Sequence, residues 1–159
     1  MKKIIVTGVT GQDGSHMVDY LLKNTEHTVI GGVRRLSVKN HENIAHLKDN
    51  PRFFLIDLDV TDAQNTDRVV AEHKPDYFIN FAANSFVGSS WEMPVNHMQT
   101  NCMAVLHQLE AIRRHALHAV ITMLVALRSL GILFGLHKPK TIRCALEAHM
   151  ERLNVPLDT

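Results

Sequence analysis

The stretch Ile4-Ile5-Val6-Thr7-Gly8-Val9-Thr10-Gly11-Gln12-Asp13-Gly14 joins a short apolar run directly to a glycine-rich turn. The apolar run predicts a buried strand, and the apolar spacing over residues 17–22 predicts an amphipathic helix. Strand, glycine turn and helix together form the phosphate-binding entry of dinucleotide folds. Gly8 would permit the tight turn, Gly11 the approach of a pyrophosphate, and Gly14 the packing of helix on strand. A plain glycine-rich turn is the alternative.

Strand and helix patterns alternate along the first 114 residues. Near-continuous apolar strands separated by helices predict one α/β domain, a Rossmann-like parallel sheet with helices on both faces. The helix after the third strand is expected to open at Thr61, with Gln64 completing a capping box, and to run to about Glu72. The remaining predicted elements are strands at Ile4–Thr7, Thr28–Val33, Arg52–Ile56 and Tyr77–Asn80 and helices at Ser15–Lys23 and Val95–Arg114.

Two further predictions concern the second half of the chain. Helical spacing gives the long helix a buried side made of Met98, Cys102, Val105, Leu106, Leu109 and Ile112. The β-prone run Val120–Val125 is a candidate for a fifth strand, with an exposed aggregation-prone segment as the alternative. Ile142–Leu153 has the spacing of a helix, while Ala119–Leu136 is apolar but interrupted by Arg128 and short for a membrane span.

Composition excludes several classes of protein. The chain has 159 residues, 45% of them hydrophobic and 21% charged, with a net charge of +1. These values fit a globular domain and give no reason to expect nucleic-acid or membrane binding. Cys102 and Cys144 have no metal-ligand spacing, the 11 histidines form no metal motif, and we predict reduced thiols and no metal. Because Gly8 and Asp13 cut the first apolar run short, it is no signal peptide, and a cytoplasmic protein is expected.

The residues after the second and third strands bear on the cofactor. The second strand ends in Arg34 and Arg35, where NAD-binding folds usually carry an acidic residue for the ribose 2′-hydroxyl. Arginine suits a 2′-phosphate, so the sequence favours NADP, with a solvated basic turn as the alternative. Asp59, after the third strand, lies where such folds hold the adenine, or else only forms a helix-capping approach to Thr61.

Residues 1 to about 114 resemble the N-terminal part of the GDP-mannose 4,6-dehydratases, which belong to the extended short-chain dehydrogenase/reductase superfamily. The matching segments are Ile5–Ser15, Arg34-Arg35, Asp57–Asp62, Asn80–Ser85 and Leu109–Arg113. The resemblance implies an NADP-dependent lyase that oxidises C4 of the mannosyl ring of GDP-mannose, eliminates water across C5–C6 and returns hydride to C6. The product would be the 4-keto-6-deoxy sugar nucleotide.

The resemblance also implies the cofactor contacts. Gly8, Gly11, Gln12, Asp13 and Gly14 would line the pyrophosphate, and Arg35, beside Arg34, would meet the 2′-phosphate. Asp59, followed by Val60, would meet the adenine, while Ala82, Ala83 and Ser85 would lie near the nicotinamide and the sugar. Asn101 falls where the superfamily often has a structural polar residue, and the long helix is one of two that pair in the family's homo-oligomers.

The family pattern disappears after His115. A strand ending in Ser-Ser-Glu or Thr-Ser-Glu and a later Tyr-x-x-x-Lys are expected, but Tyr20 and Tyr77 are the chain's two tyrosines. The genetic code permits both elements in a shifted reading frame, so we hypothesise that residues from about Leu117 onward are translated out of frame. The sequence therefore predicts no catalytic residue, with residues 1–116 as an incomplete NADP-binding domain and residues 117–159 as a non-family tail.

Three functions remain open at this point. The first is a sugar-nucleotide dehydratase by descent. The second is a non-catalytic fragment that retains NADP binding. The third is a cofactor-sensing regulatory protein on the same fold, which a fold alone does not exclude.

Overall fold

The computed structural model describes residues 1–35, 37 and 40–123. They form a parallel sheet in the order β3-β2-β1-β4-β5. The strands are β1 (Lys3–Thr7), β2 (Thr28–Val33), β3 (Phe53–Asp57), β4 (Tyr77–Asn80) and β5 (Val120–Met123). The predicted bounds of β2 and β4 are confirmed, and β1 and β3 differ from prediction by one residue at their ends.

Helices cover both faces of the sheet, as predicted. Helix α1 (Gln12–Asn24) and a 3-10 helix (Glu42–Leu47) pack on one face, where Val18, Leu21, Ile44 and Leu47 are buried. Helix α2 (Ala63–His73) and the end of the long helix pack on the other face, against Ile5, Ile30 and Phe78. Each face therefore has its own apolar core, as expected for a buried parallel sheet.

Helix α2 begins one residue later than the capping box predicts. Asp62, not Thr61, is the N-cap, and its Oδ1 accepts hydrogen bonds from the backbone N–H groups of Gln64 and Asn65. Thr61 instead donates its hydroxyl to Asp59. The predicted capping box is therefore wrong, because Asp59 engages the threonine side chain before the helix starts. Lys74, in the left-handed conformation at φ 44°, ends the helix directly before Pro75.

The long helix contains a π-helical turn. Short helices α3 (Val87–Glu92) and α4 (Pro94–Met98) lead into a π turn at Gln99–Met103, which continues as α5 (Ala104–His115). The predicted buried side is wrong except for Ile112: Met98, Cys102, Leu106 and Leu109 are exposed and Val105 is half-buried. The side that faces the protein carries His97, Asn101, Ala104, Gln108, Ala111 and Ile112. Pairing of this long helix in a homo-oligomer stays a prediction.

The candidate fifth strand is confirmed at residues 120–123. It lies parallel to β4, with Tyr77 opposite Val120 and Asn80 opposite Met123. The sheet thus includes residues beyond 116, where the sequence predicts the end of the NADP-binding domain. That domain boundary stays a prediction. The rest of that run, 124–125, and the predicted helix at 142–153 lie outside the described residues. Among the described residues no helix is long and apolar enough to cross a membrane.

Candidate functional site

The glycine turn between β1 and α1 is built on two close backbone contacts. Gly8 has φ +69°, and a Cβ there would lie 2.7 Å from the carbonyl carbon of Phe81. A Cβ on Gly14 would lie 2.2 Å from the Gly8 carbonyl oxygen. The tight turn and the close packing of helix on strand therefore both require glycine. The N–H of Gly11 donates to the Gly8 carbonyl oxygen at 3.0 Å and closes the turn.

The open end of α1 is the second feature of this turn. Gly11 is the N-cap, and no side chain caps the first turn of the helix. Gln12 and Asp13 are exposed there, and Asp13 is the acidic residue of that first turn. The first backbone N–H groups of this 13-residue helix therefore have no acceptor within the helix and no side-chain acceptor. Such an end can receive an anionic phosphate.

A buried hydrogen-bond network fixes the segment after β4 against the glycine turn. The Thr7 hydroxyl donates to Asn80 Oδ1 and accepts from the Ala82 N–H at 3.2 Å. Gln108 Nε2 of α5 also donates to Asn80 Oδ1, at 3.2 Å. Half-buried Ala82 and Ala83 are thereby held beside Gly8, at the carboxyl ends of β1 and β4. Ligands of open α/β sheets bind at this end, where the strand order reverses.

The next stretch of that segment is fixed to the long helix by Asn101. Its Oδ1 accepts from the Asn84 N–H at 2.8 Å, and its Nδ2 donates to the Asn84 carbonyl oxygen at 2.9 Å. Asn101 lies in the π turn and is 8% exposed. This agrees with the structural role that the resemblance implies for Asn101. Ser85, the residue after Asn84, is exposed.

A basic cleft of about 1080 Å³ opens at the carboxyl ends of β2 and β3. Arg34 and Arg35 line it, and Thr10 of the glycine turn forms part of the same wall. The structure therefore brings the two arginines to the same cleft as Thr10 of the glycine turn, and their contact with a cofactor stays a prediction. We call this space the basic cleft. His41, Lys48 and Asp57 also line it. Sequence reasoning missed His41 and Lys48 because nothing in the 36–50 region has a regular pattern, and it used Asp57 only as part of the segment Asp57–Asp62.

Asp59 and Val60 lie on the loop after β3 and do not line the basic cleft. Asp59 Oδ1 accepts from the Thr61 N–H at 2.9 Å and from its hydroxyl at 2.7 Å. Asp59 thus contacts Thr61 just before α2, although Asp62 and not Thr61 is the N-cap of that helix. Val60 is buried at 7% exposure. The adenine contact of both residues stays a prediction.

The tyrosines lie away from this edge of the sheet. The Tyr77 hydroxyl accepts a hydrogen bond from Lys2 Nζ at 2.8 Å, at the amino end of β4. This hydrogen bond raises the pKa of Lys2 above its ordinary value. Tyr20 follows Gln12 by eight residues in α1, about 12 Å from the open end of the helix. Within residues 1–35, 37 and 40–123, no three His, Cys, Asp or Glu side chains form a metal site.

Comparison with known proteins gives a family and a fold. The family model described as GDP-mannose 4,6 dehydratase matches residues 5–136. The GDP-mannose 4,6-dehydratase of Yersinia enterocolitica is 40% identical over 122 residues, 74% of this chain and 32% of that protein. The dTDP-glucose 4,6-dehydratase of Neisseria meningitidis is 34% identical over 115 residues, 72% of this chain and 32% of that protein. The chain thus spans about a third of the length of these curated relatives.

Solved structures agree with this assignment. UDP-glucose 4-epimerase of Thermotoga maritima, solved with UDP-glucose, is 30% identical with a TM-score of 0.60, over 70% of this chain and 34% of that one. A Bordetella bronchiseptica enzyme in complex with NAD+ is 26% identical with a TM-score of 0.57, over 72% and 36% of the two chains. A Bacillus anthracis dTDP-glucose 4,6-dehydratase in complex with NAD, 22% identical with a TM-score of 0.65 and covering 77% and 37%, shares the fold.

Proposed function

The chain belongs to the GDP-mannose 4,6-dehydratase family, and from this premise we propose that it binds NADP at the glycine turn and the basic cleft. We propose that the chain descends from enzymes that carry out the NADP-dependent conversion of GDP-mannose to GDP-4-keto-6-deoxymannose. Its relatives are sugar-nucleotide dehydratases and epimerases, so the nucleotide-sugar class of substrate comes from the family.

The basic cleft is the observation that carries the preference for NADP. Arg34 and Arg35 are exposed in it and form no ion pair with any other described residue. A dianionic 2′-phosphate would satisfy both guanidinium groups, whereas the ribose hydroxyl of NAD would leave both without an anion. Arginine is suited to this contact because its planar group donates two parallel hydrogen bonds to phosphate oxygens.

The rest of the cofactor would follow the edge of the sheet. The open end of α1, with Gly11, Gln12, Asp13 and Gly14, supports the pyrophosphate contact. Ala82 and Ala83 have small side chains beside Gly8 and leave room for the nicotinamide half, with Ser85 further along. Asp59 and Val60 remain our candidates for the adenine.

We further propose that these 159 residues do not dehydrate GDP-mannose. The acid/base that the family resemblance requires at C4 is a tyrosine followed four residues later by lysine. Tyr77 and Tyr20, the chain's two tyrosines, lie at the other end of the sheet and on the outer part of α1. A cytoplasmic location is part of the same proposal, supported by the free, exposed thiol of Cys102.

Calorimetric titration of the 159-residue protein with NADPH and NADH tests the binding proposal. We expect saturable binding of NADPH, weaker binding of NADH, and at least about tenfold loss of NADPH affinity in Arg35→Ala, since charge-assisted hydrogen bonds contribute about 1.5–3 kcal/mol. Arg68→Ala, an exposed arginine on α2, is the matched control and should bind as the wild type does. Equal affinity for the two cofactors would contradict the NADP preference, and binding of neither would contradict the site.

The same preparation tests the second proposal. GDP-mannose is incubated with the protein and NADP, and the dehydrated 4-keto product is sought by mass spectrometry. We expect none, because no tyrosine reaches the cleft. Turnover that is lost in Arg35→Ala and kept in Arg68→Ala would overturn the proposal.

A further inference from the structure

A third cation lines the basic cleft besides Arg34 and Arg35. Lys48 lines it together with both arginines, and it follows directly on the 3-10 helix Glu42–Leu47. We propose that Lys48 is a specificity-determining residue that binds the 2′-phosphate of the cofactor together with the arginines. This inference rests on the proposed NADP binding and adds a residue that the sequence motif does not contain.

The segment before Lys48 is fastened to the phosphate-binding turn. Asn43 Nδ2 donates to the Thr10 carbonyl oxygen at 2.8 Å. His46 Nε2 contacts Asp19 Oδ1 of α1 at 2.7 Å. Ile44 and Leu47 are buried in the core on that face, at 3% and 7% exposure. Two polar contacts and two core side chains therefore hold the 3-10 helix, so the start of the Lys48 side chain has a defined place at the cleft.

The charges around the cleft leave Lys48 available for an anion. Among the described residues that line the cleft, Asp57 is the acidic one, against Arg34, Arg35 and Lys48. Lys48 forms no ion pair with any other described residue. On its other side it borders a smaller cavity of about 420 Å³ whose walls include Ile44, Phe53, Phe54 and Leu55 and no carboxylate. The ammonium thus finds its strongest anionic partner in a ligand within the basic cleft, where three cations around one dianion reinforce each other.

Two nucleotides that differ by one phosphate group isolate this contact. The 159-residue protein is titrated with 2′,5′-ADP, which carries the 2′-phosphate, and with 5′-AMP, which lacks it. The variants are Lys48→Met, which keeps the length of the side chain and removes its charge, Lys48→Arg, which keeps the charge, and the control Lys23→Met. Lys23 is an exposed lysine in the last turn of α1, outside the cleft.

We expect Lys48→Met to weaken 2′,5′-ADP by about threefold to fivefold, the range of an exposed ion pair, and to leave 5′-AMP unchanged. Lys48→Arg and Lys23→Met should bind both nucleotides as the wild type does. The loss should shrink as salt is added, because exposed charges are screened.

Three outcomes would overturn the proposal. In the first, Lys48→Met binds 2′,5′-ADP as tightly as the wild type does. In the second, it weakens both nucleotides equally, which indicates a general change of the cleft. In the third, the wild type binds neither nucleotide, and the proposed NADP site then fails together with the role of Lys48. Binding of both nucleotides with no effect of Lys48→Met leaves the NADP site standing and rejects only the lysine.

Discussion

Replacing Gly14 by alanine tests the packing of the glycine turn. The new Cβ would lie 2.2 Å from the Gly8 carbonyl oxygen and 2.7 Å from its carbonyl carbon, whereas ordinary contact begins at 3.4 Å. Both neighbours are backbone atoms, so no side-chain rotation relieves an overlap of more than an ångström. Helix α1 must move away from the turn, and this loosens Val18 and Leu21, which are fully buried.

The expected cost follows from two opposing effects. Overpacking costs about 3 kcal/mol when neither partner can rotate away. Alanine is favoured over glycine inside a helix by about 1 kcal/mol, which offsets part of that cost. We expect Gly14→Ala to lower the free energy of unfolding by about 2 kcal/mol and the melting temperature by about 5–10 °C. NADPH binding should weaken as well, because the open end of α1 moves with the helix.

Urea and thermal unfolding followed by circular dichroism measure this change. Gly88→Ala in α3 is the matched control, since the nearest atoms to its Cβ belong to the Phe86 ring, at 2.9 Å, and Phe86 is 74% exposed. That ring can turn into solvent, so Gly88→Ala should be neutral or stabilising by up to about 1 kcal/mol. If Gly14→Ala unfolds at the same urea concentration as the wild type or a higher one, the argument from backbone overlap is refuted.

Two further predictions concern the cap of α2 and a partly buried histidine. Asp62→Ala should lower the free energy of unfolding by about 1 kcal/mol, because it leaves two backbone N–H groups without their acceptor. Thr61→Ala should lower it less, because Thr61 lies outside the helix. Urea midpoints in the reverse order would reject this cap. Burial lowers the pKa of His27 below 6.5, so the unfolded chain binds protons more readily than the folded one. Stability should therefore fall as pH drops below 6.5, and His27→Gln should reduce this fall in urea unfolding across that range; an unchanged slope would count against it.

The strands and the glycine turn could be predicted from sequence because their signals are local. Ile4, Ile5 and Val6 are apolar on consecutive positions, as is typical of a strand buried on both faces, and all three are fully buried. The glycines after β1 and the pair Lys74-Pro75 after α2 likewise determine the local backbone through the conformation of single residues. These features depend on no distant contact.

The buried side of the long helix could not be predicted in this way. Hydrophobic periodicity selected Met98, Leu106 and Leu109, but polar Gln108 and Asn101 face inward, because Asn80 and Asn84 offer them hydrogen bonds. Those partners are 28 and 17 residues away in sequence. The π turn also shifts the phase of the helix, so a spacing of 3.6 residues fails across it.

The candidate site shows the same difference between local sequence signals and distant contacts. Arg34 and Arg35 could be predicted because they directly follow a strand whose end faces the ligand edge. Lys48 could not, because its place in the cleft depends on the contact of Asn43 with Thr10, 33 residues earlier in the chain.

Of the five described strands, β1 is synthesised before the others and lies at the centre of the sheet, and this sets an order for their folding on the ribosome. β1 pairs with β2 on one side and with β4 on the other, where Thr7 and Asn80 are 73 residues apart. At about 5–20 residues per second, β4 emerges about 4–15 s after β1. During that interval one edge of β1 is open to any extended segment nearby, so a nascent chain of this protein should be most vulnerable to misassembly before residue 80 leaves the exit tunnel.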